Sequence, residues 1–296
     1  MTIDARATAE AMTAAVAPLL ESTWRTDTAG FVPFTVEART IGWIRSGIVT
    51  RLREFSRTFT VDARGVALHE ALQTQAERSA AMAEVIRALA DSGVVTGWRD
   101  ELYGVPGDDG DLSRPLFTIE RAAARVFGVT THAVHVNGIA ATPGGPAVWI
   151  ARRSATKSID PGMLDNMIGG GLAHGLSIRQ TLVKEAWEEA GLLPADVAAA
   201  TPGRRIRIRR EVPEGLQSEI IFAHDVVLPR DIAPRNQDGE VSEFQLLPVA
   251  DVIALLGAGN VMTPDASLVT LDWLDRSGVV PLPPMAQARA IFEAAT

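Results

Sequence analysis

The segment from Gly169 to Leu192 constrains this chain more than any other part of its sequence. Three consecutive glycines open it, and a helical pattern follows, with Ser177 as the predicted N-cap and Gln180 three residues later. Gly191 suits the left-handed residue that ends many helices. The pattern therefore predicts a glycine-rich loop that leads directly into a helix ending at Gly191.

Three glutamates of the predicted helix, Glu185, Glu188 and Glu189, stand at positions i, i+3 and i+4. Side chains at these offsets lie on one face of a helix, where like charges repel. A hard divalent cation would remove the repulsion, because Mg²⁺ binds carboxylate oxygens together with substrate phosphates and water. The same spacing also occurs on ordinary solvated helix faces. The upstream glycines, whose backbone can approach a ligand closely, favour the metal site.

The segment resembles the Nudix box, the signature of hydrolases that cleave a nucleoside diphosphate or another diphosphate linked to a further group. The signature reads Gly, five residues, Glu, seven residues, and then Arg-Glu-apolar-x-Glu-Glu-x-Gly-apolar. In this chain Gly170 opens the signature. Its second half is filled in register by Lys184, Glu185, Ala186, Glu188, Glu189, Gly191 and Leu192.

The resemblance implies a divalent metal, Mg²⁺ or Mn²⁺, held by one backbone carbonyl and three carboxylates of the box. These implied ligands are Gly170, Glu185, Glu188 and Glu189. Two positions depart from the signature, because Leu176 replaces its first glutamate and Lys184 replaces its arginine. The arginine position orients the carboxylates, so Lys184 is a catalytic candidate that keeps the charge but lacks the planar, two-pronged donor.

Similarity to one Nudix branch extends from about residue 30 to about residue 280. The segments concerned are FTVEARTIGWI, ELYGV, FTIERAAARVFGV, HAVHVNGIA, LDNMIGGGLAHGLS, GLQSEIIFAHDVVLP, DGEVSEFQLL and SLVTLDWLDR. Members of this branch have an extra α/β domain before the Nudix domain and occur alone or fused to thiamine pyrophosphokinase. The resemblance implies hydrolysis of damaged thiamine diphosphate, in its oxo or oxy form, to the monophosphate and phosphate.

Strand and helix patterns alternate along the chain and predict an α/β fold. With the resemblance, the expected architecture is a Nudix-type α/β/α sandwich with a mixed sheet, preceded by a smaller α/β domain. We expect the N-terminal domain to span residues 1–128 and the Nudix domain residues 129–296. The patterns also predict helices over Leu68–Asp91 and Ile119–Phe127.

Further site candidates lie outside the predicted catalytic helix. Glu240, in a loop before a strand, is the first choice for the extra carboxylate that Nudix enzymes often use, with Glu243 second. A solvated turn would explain Glu240 equally well and is the better explanation for Glu243. A water activated by Glu188 or Glu240 would attack phosphorus, with the metal bridging two phosphates and stabilising the developing charge.

Four residues are candidates for substrate binding. His135 and Asn137 alternate on a predicted strand and so share one face, although a core histidine is the more common case. His174 lies beside the proposed phosphate site and could donate to a phosphate oxygen, although a loop histidine that points into solvent explains it equally well. Gly171 belongs to the glycine segment that approaches the ligand.

Composition narrows the possible functions. A net charge of −8 and a pI near 5.2 argue against nucleic-acid binding, and no cysteine is available for disulfides or thiolate sites. The sequence shows neither a secretion signal nor an apolar membrane span, which predicts a cytoplasmic protein. The chain has only two lysines, Lys157 and Lys184, which we interpret as a compositional habit of the source organism.

Three functions remain open at this stage. The first is hydrolysis of damaged thiamine diphosphate, acting on a small-molecule substrate in a protein that could be a homodimer. The second is a Nudix enzyme for another diphosphate, such as a nucleotide sugar; an isopentenyl-diphosphate isomerase would need a cysteine that this chain lacks. The third is a non-catalytic Nudix module that binds a diphosphate, which the departures at Leu176 and Lys184 would favour.

Overall fold

The structure, a computed structural model, describes residues 5–107 and 110–294. The elements described in the first part of the chain are α1 (Ala5–Thr23), β1 (Phe31–Val36), β2 (Arg39–Arg45), α2 (Ser46–Leu52), β3 (Phe59–Asp62), β4 (Gly65–Leu68), α3 (Gln75–Asp91), β5 (Leu102–Val105), β6 (Phe117–Glu120) and α4 (Ala124–Phe127). Those of the second part are β7 (Thr130–Thr142), β8 (Gly145–Arg153), β9 (Leu164–Asn166), β10 (Ile168–Gly171), α5 (Ile178–Ala190), β11 (Thr201–Val212), β12 (Gly215–Leu228), β13 (Val241–Pro248), α6 (Val249–Ala258), α7 (Pro264–Arg276), α8 (Ala286–Ile291) and β14 (Phe292–Glu293).

The second part is built on a large mixed sheet in the order β13-β8-β7-β12-β11-β14. Strands β7 and β12 are parallel, and the other neighbours in this order are antiparallel. The short strands β9 and β10 pair with β8 and β7. Strand β7 is buried along most of its length, which is typical of a strand covered on both faces.

Helices cover both faces of this sheet. On one face, Leu20 of α1 and Leu271 of α7 pack with Ile221 of β12 in the largest apolar core. On the other face, Leu182 of α5 packs against Val136 of β7. The arrangement is an α/β/α sandwich with a mixed sheet, which confirms the predicted fold class.

A smaller domain precedes the sandwich. Its four-stranded sheet has the order β2-β1-β4-β3, and a two-stranded sheet joins β5 and β6. The core contains an aromatic cluster in which Phe34 lies 5.5 Å from Phe127 and 6.0 Å from Phe59, measured between ring centroids. Such tilted and edge-to-face pairs stabilise a core beyond simple area burial.

The first helix does not pack in this smaller domain. Val16 and Leu20 of α1 belong to the core of the large sheet, together with Val252 of α6 and Ile291 of α8. Helix α1 therefore packs on the sandwich, although it precedes the smaller domain in the sequence. The boundary that we expect between residues 128 and 129 stays a prediction.

Two helix predictions need correction. The helix predicted over Leu68–Asp91 begins at Gln75, because Thr74 caps it and β4 ends at Leu68. The segment Ile119–Phe127 begins in strand β6 and becomes helical only in its second half. Among the described residues, no helix is both long and apolar enough to cross a membrane.

Candidate active site

Helix α5 forms as predicted. The Ser177 hydroxyl accepts from Gln180 N at 3.2 Å, and Gln180 Oε1 accepts from Ser177 N at 2.9 Å, which completes a capping box. Gly191 ends the helix with φ of 63°. Buried Leu182 and Ala186 fix the helix against the sheet, and this rotation turns Glu185 and Glu189 towards β10.

The glycine segment is a strand and not the predicted loop. Gly169, Gly170 and Gly171 pair antiparallel with β7. A Cβ atom at Gly170 would overlap the carboxyl group of Glu185, and one at Gly171 would overlap the Tyr103 hydroxyl. A Cβ at Gly169 would lie 2.8 Å from the ring of His135. The three glycines therefore leave room for functional side chains to pack directly on backbone.

Two of the three predicted metal-ligand glutamates point into the site. Glu185 and Glu189 are 8% and 5% exposed, and Glu189 Oε2 accepts from Gly169 N at 2.7 Å. Glu188 lies nearer to solvent and accepts from Lys184 Nζ at 2.7 Å. Within the described residues, no three His, Asp or Glu side chains are already grouped closely enough to hold a metal ion.

The electrostatics of these glutamates fit a divalent cation. Burial raises the pKa of Glu189 to about 8 and also raises that of Glu185. Burial acts to lower the pKa of Lys184, but its bonds to Glu188 and Glu185 dominate and raise it. Oxygen donors beside a glycine backbone are the ligands that Mg²⁺ and Mn²⁺ prefer, so Glu185, Glu189 and the Gly170 carbonyl suit such an ion.

Lys157 is a site residue that the sequence analysis missed. Its Nζ lies 4.0 Å from Glu189 Oε1 and forms an ion pair with Glu240, the predicted downstream carboxylate. Burial lowers the pKa of Lys157. Both lysines of the chain therefore contact candidate site carboxylates, and their rarity was the signal that we interpreted as compositional.

A cavity of about 310 Å³ lies between the smaller domain and the sandwich, beside these glutamates. The sandwich contributes Gly169, Gly170, Gly171, His135 and Lys157 to its walls. The smaller domain contributes Arg99, Tyr103 and Arg121, none of which the sequence analysis singled out. These residues are far apart in the chain, and only the packing of the two domains brings them together.

The remaining substrate candidates differ in position. His135 lines the cavity, and its Nδ1 lies 2.9 Å from Asn166 Oδ1. Asn137 is fully buried, donates to Asp225 at 2.9 Å and accepts from Asn166 at 3.0 Å. A direct contact between Asn137 and substrate therefore does not fit its position, and Asn137 can act only through Asn166 and His135.

His174 is exposed and does not line the cavity. Its backbone N donates to the carbonyl of Leu102 at 2.7 Å, so this segment joins β5 of the smaller domain to the glycine strand. Gly171 does line the cavity. Glu243 lies away from the cavity, where it pairs with Arg152 at 3.4 Å.

The α/β/α sandwich and its glutamate-bearing helix define a protein of the Nudix class. Residues 131–264 match the family model described as the NUDIX domain, and residues 15–131 match that of a domain of unknown function, DUF4743. The chain is 37% identical over 260 residues to Nudix hydrolase 20, chloroplastic, of Arabidopsis thaliana, covering 84% of this chain and 69% of that protein. The chain therefore belongs to the Nudix hydrolase family and is a diphosphate hydrolase with an N-terminal DUF4743 domain.

Two further similarities were found. Nudix hydrolase 24, chloroplastic, also of Arabidopsis thaliana, is 37% identical over 264 residues, covering 84% of this chain and 68% of that protein. The crystal structure of the MutT protein from Methanosarcina mazei Go1 superposes with a TM-score of 0.37 at 18% identity, covering 50% of this chain and 95% of that one.

Proposed function

We propose that this protein hydrolyses the phosphoanhydride of an organic diphosphate, with damaged thiamine diphosphate as its substrate and Mg²⁺ or Mn²⁺ as its cofactor. The products are the monophosphate and inorganic phosphate. The observation on which this depends is the burial of Glu185 and Glu189 against the glycine strand at the edge of the cavity.

The divalent ion, when bound, would neutralise the phosphate oxygens and stabilise the charge that develops during hydrolysis. Glu185, Glu189 and the Gly170 carbonyl would hold it, with Glu188 completing the set after leaving Lys184. Gly169 N holds Glu189 in place through its 2.7 Å hydrogen bond. Lys157, Arg121 and Arg153 line the adjacent cavity and supply positive charge for the diphosphate.

A water molecule must lose a proton to attack phosphorus. Glu240 and Glu188 are the candidate bases, and each is paired with one of the two lysines. Phosphate entering between Lys157 and Glu240 would compete for the ammonium group and free the carboxylate to accept that proton.

The thiamine substrate is supported by the resemblance of residues 30 to 280 to the branch associated with thiamine pyrophosphokinase. Nudix hydrolases typically use divalent metal ions, which supports the cofactor. Cytoplasmic localisation and a homodimer stay predictions, and the two Arabidopsis relatives are named as chloroplastic.

Glu189→Gln tests the catalytic proposal. Glutamine keeps the size of the side chain but removes the charge from the metal site, so turnover should fall roughly a hundredfold or more, the scale of losing one transition-state stabiliser. Phosphate release in Mg²⁺ measures the change. Glu84→Gln, at an exposed glutamate of α3, is the matched control and should match the wild type. Equal measurable rates for Glu189→Gln and wild type would contradict the role of Glu189, and no phosphate release by either would leave the non-catalytic binding module as the better explanation.

A substrate panel tests the thiamine assignment. Oxothiamine and oxythiamine diphosphates should give higher kcat/KM values than ADP-ribose, UDP-glucose or inorganic pyrophosphate. Comparable turnover of ADP-ribose would contradict the thiamine assignment and leave the broader diphosphate hydrolase in place.

A further inference from the structure

The cavity between the two domains has walls of two different kinds. Near the candidate metal site it is lined by Arg121, Arg153 and Lys157, and these residues continue into an adjoining opening of about 460 Å³. Its wall also contains Gln217, Glu219 and Asp265, which together we call the acidic end, and Arg121 lies within electrostatic range of Glu219. A diphosphate accounts for the cationic wall but not for the acidic end.

Asp265 is the residue of greatest interest in the acidic end. It is the second residue of α7, where an acidic side chain ordinarily stabilises the helix dipole or bonds to a backbone N–H. Its Oδ1 atom is instead buried without a hydrogen-bond partner among the described residues. An unsatisfied buried acceptor is costly, and a ligand that donates a hydrogen bond would remove that cost.

Glu219 adds a second carboxylate to the same wall. It accepts hydrogen bonds from Gln217 Nε2 at 2.8 Å and Thr131 Oγ1 at 3.3 Å, both neutral donors. In the described parts of the chain, neither Glu219 nor Asp265 has a salt-bridge partner within 4.0 Å. The nearby Arg210 is bonded to Gln217 Oε1 at 2.8 Å, which holds Gln217 in position to support Glu219.

The smaller domain closes this space. Tyr103 is 5% exposed and lines the cavity together with Arg121 and Arg125. Arg121 forms a salt bridge with Glu101 at 2.8 Å, and its guanidinium lies 5.8 Å from the Tyr103 ring centroid. A group bound at the acidic end would therefore be enclosed between the DUF4743 domain and the Nudix sheet.

We propose that Asp265 and Glu219 form a binding subsite for the non-phosphate part of the substrate, and that they select a heterocycle bearing an amino group or a positive charge. The inference rests on the proposed function, because it assumes that the diphosphate occupies the cationic wall. Neutral prenyl groups and plain sugars lack a cation for these two carboxylates and are disfavoured. The subsite gives the DUF4743 domain a role in enclosing the recognised group.

The test measures binding of thiamine itself, which has an amino group and a positive charge but no phosphate. Isothermal titration calorimetry compares the wild type with Asp265→Asn and Glu219→Gln, both nearly isosteric. Each should weaken thiamine binding roughly tenfold or more, the scale of one lost charge-assisted hydrogen bond. Asp251→Asn, at an exposed acid in the first turn of α6, should bind like the wild type.

A second measurement uses whole substrates. The ratio of kcat/KM for oxothiamine diphosphate, which keeps the amino group, to that for isopentenyl diphosphate should fall in Asp265→Asn, since only the first substrate contacts the acidic end. Melting curves identify any variant that fails to fold, and Glu219→Gln then provides the independent comparison. Wild-type-like thiamine affinity in both folded variants, or no thiamine binding by the wild type, overturns the subsite.

The proposed hydrolase function and the proposed subsite can each be contradicted without the other. Thiamine binding that depends on Asp265, in a protein that hydrolyses no diphosphate, would preserve the subsite and remove the proposed function. If the protein hydrolyses diphosphates but its affinity for thiamine is the same with and without the Asp265 carboxylate, the proposed function would stand and the subsite would be contradicted.

Discussion

At the scale of single residues, the absence of side chains is as important as their presence. Gly170 has no Cβ, and the space is filled by the carboxyl group of Glu185. Glycine is therefore required at this position for a steric reason. The two residues are fifteen positions apart in sequence and act as one unit in space.

Gly170→Ala tests this coupling. The added methyl group must displace Glu185 or the strand, so we expect a stability loss of about 1–3 kcal/mol, typical of overpacking. Hydrolysis should fall as well, because the displaced carboxylate would no longer face the candidate metal site. Denaturant unfolding and phosphate release measure the two effects.

The control for this variant is Gly47→Ala in α2, where an added Cβ meets no atom within 4 Å. That variant should keep full activity and gain up to about 1 kcal/mol, since alanine is the better helix former. Full activity in Gly170→Ala would show that hydrolysis does not depend on the present position of the Glu185 carboxyl group.

At the scale of elements, two helices begin with the same device. Thr74 and Glu77 form a capping box on α3, and Ser177 and Gln180 form one on α5. Only α5 holds candidate metal ligands. Comparing the loss of each cap therefore separates the general contribution of an N-cap to stability from its contribution to the candidate metal site.

Ser177→Ala and Thr74→Ala should each lower the free energy of unfolding by about 1 kcal/mol, the usual cost of losing an N-cap side chain. Ser177→Ala alone should also raise the Mg²⁺ concentration needed for half-maximal activity, because fraying of α5 loosens the glutamates. Metal titrations of both variants at equal fraction folded make the comparison. The same Mg²⁺ requirement in both would show that the cap has only a structural role.

The elements also show how far the sequence predicts local structure. Caps and apolar periodicity predicted α5 well, because its signals are local and agree with its packing. The same periodicity placed the start of α3 too early, at Leu68, because Leu68 and Leu72 have helical i,i+4 spacing, whereas Leu68 ends strand β4 and α3 begins only at Gln75. Gly169, Gly170 and Gly171 looked like a loop because strand pairing with β7 is a long-range interaction.

At the scale of the whole molecule, Tyr103 reports on the interface between the two domains. It is the single tyrosine of the chain, is 5% exposed and contacts the glycine strand. Burial raises its pKa well above the ordinary value of 10.0, nearby Arg121 opposes the shift, and Glu101 and Glu219 add to it.

Alkaline titration of tyrosine absorbance tests this closure. The native protein should show little tyrosinate at pH 10, whereas the protein in denaturant should titrate with the ordinary midpoint of 10.0. Because the folded-state pKa lies above the unfolded value, the stability contributed by this group is present below pH 10 and is lost as pH rises further. A native midpoint near 10.0 would mean that the two domains do not enclose Tyr103.

The sequence by itself determined the glutamate-bearing helix, its cap, the positions of its glutamates and the family, because these depend on local spacing within one segment. The tertiary structure decided which glutamates face inwards and which charges surround them. It brought Lys157, Tyr103, Arg121 and Asp265 to one cavity, although they lie on segments far apart in the chain. Such contacts depend on how two domains and a mixed sheet pack together, and no local pattern encodes that packing.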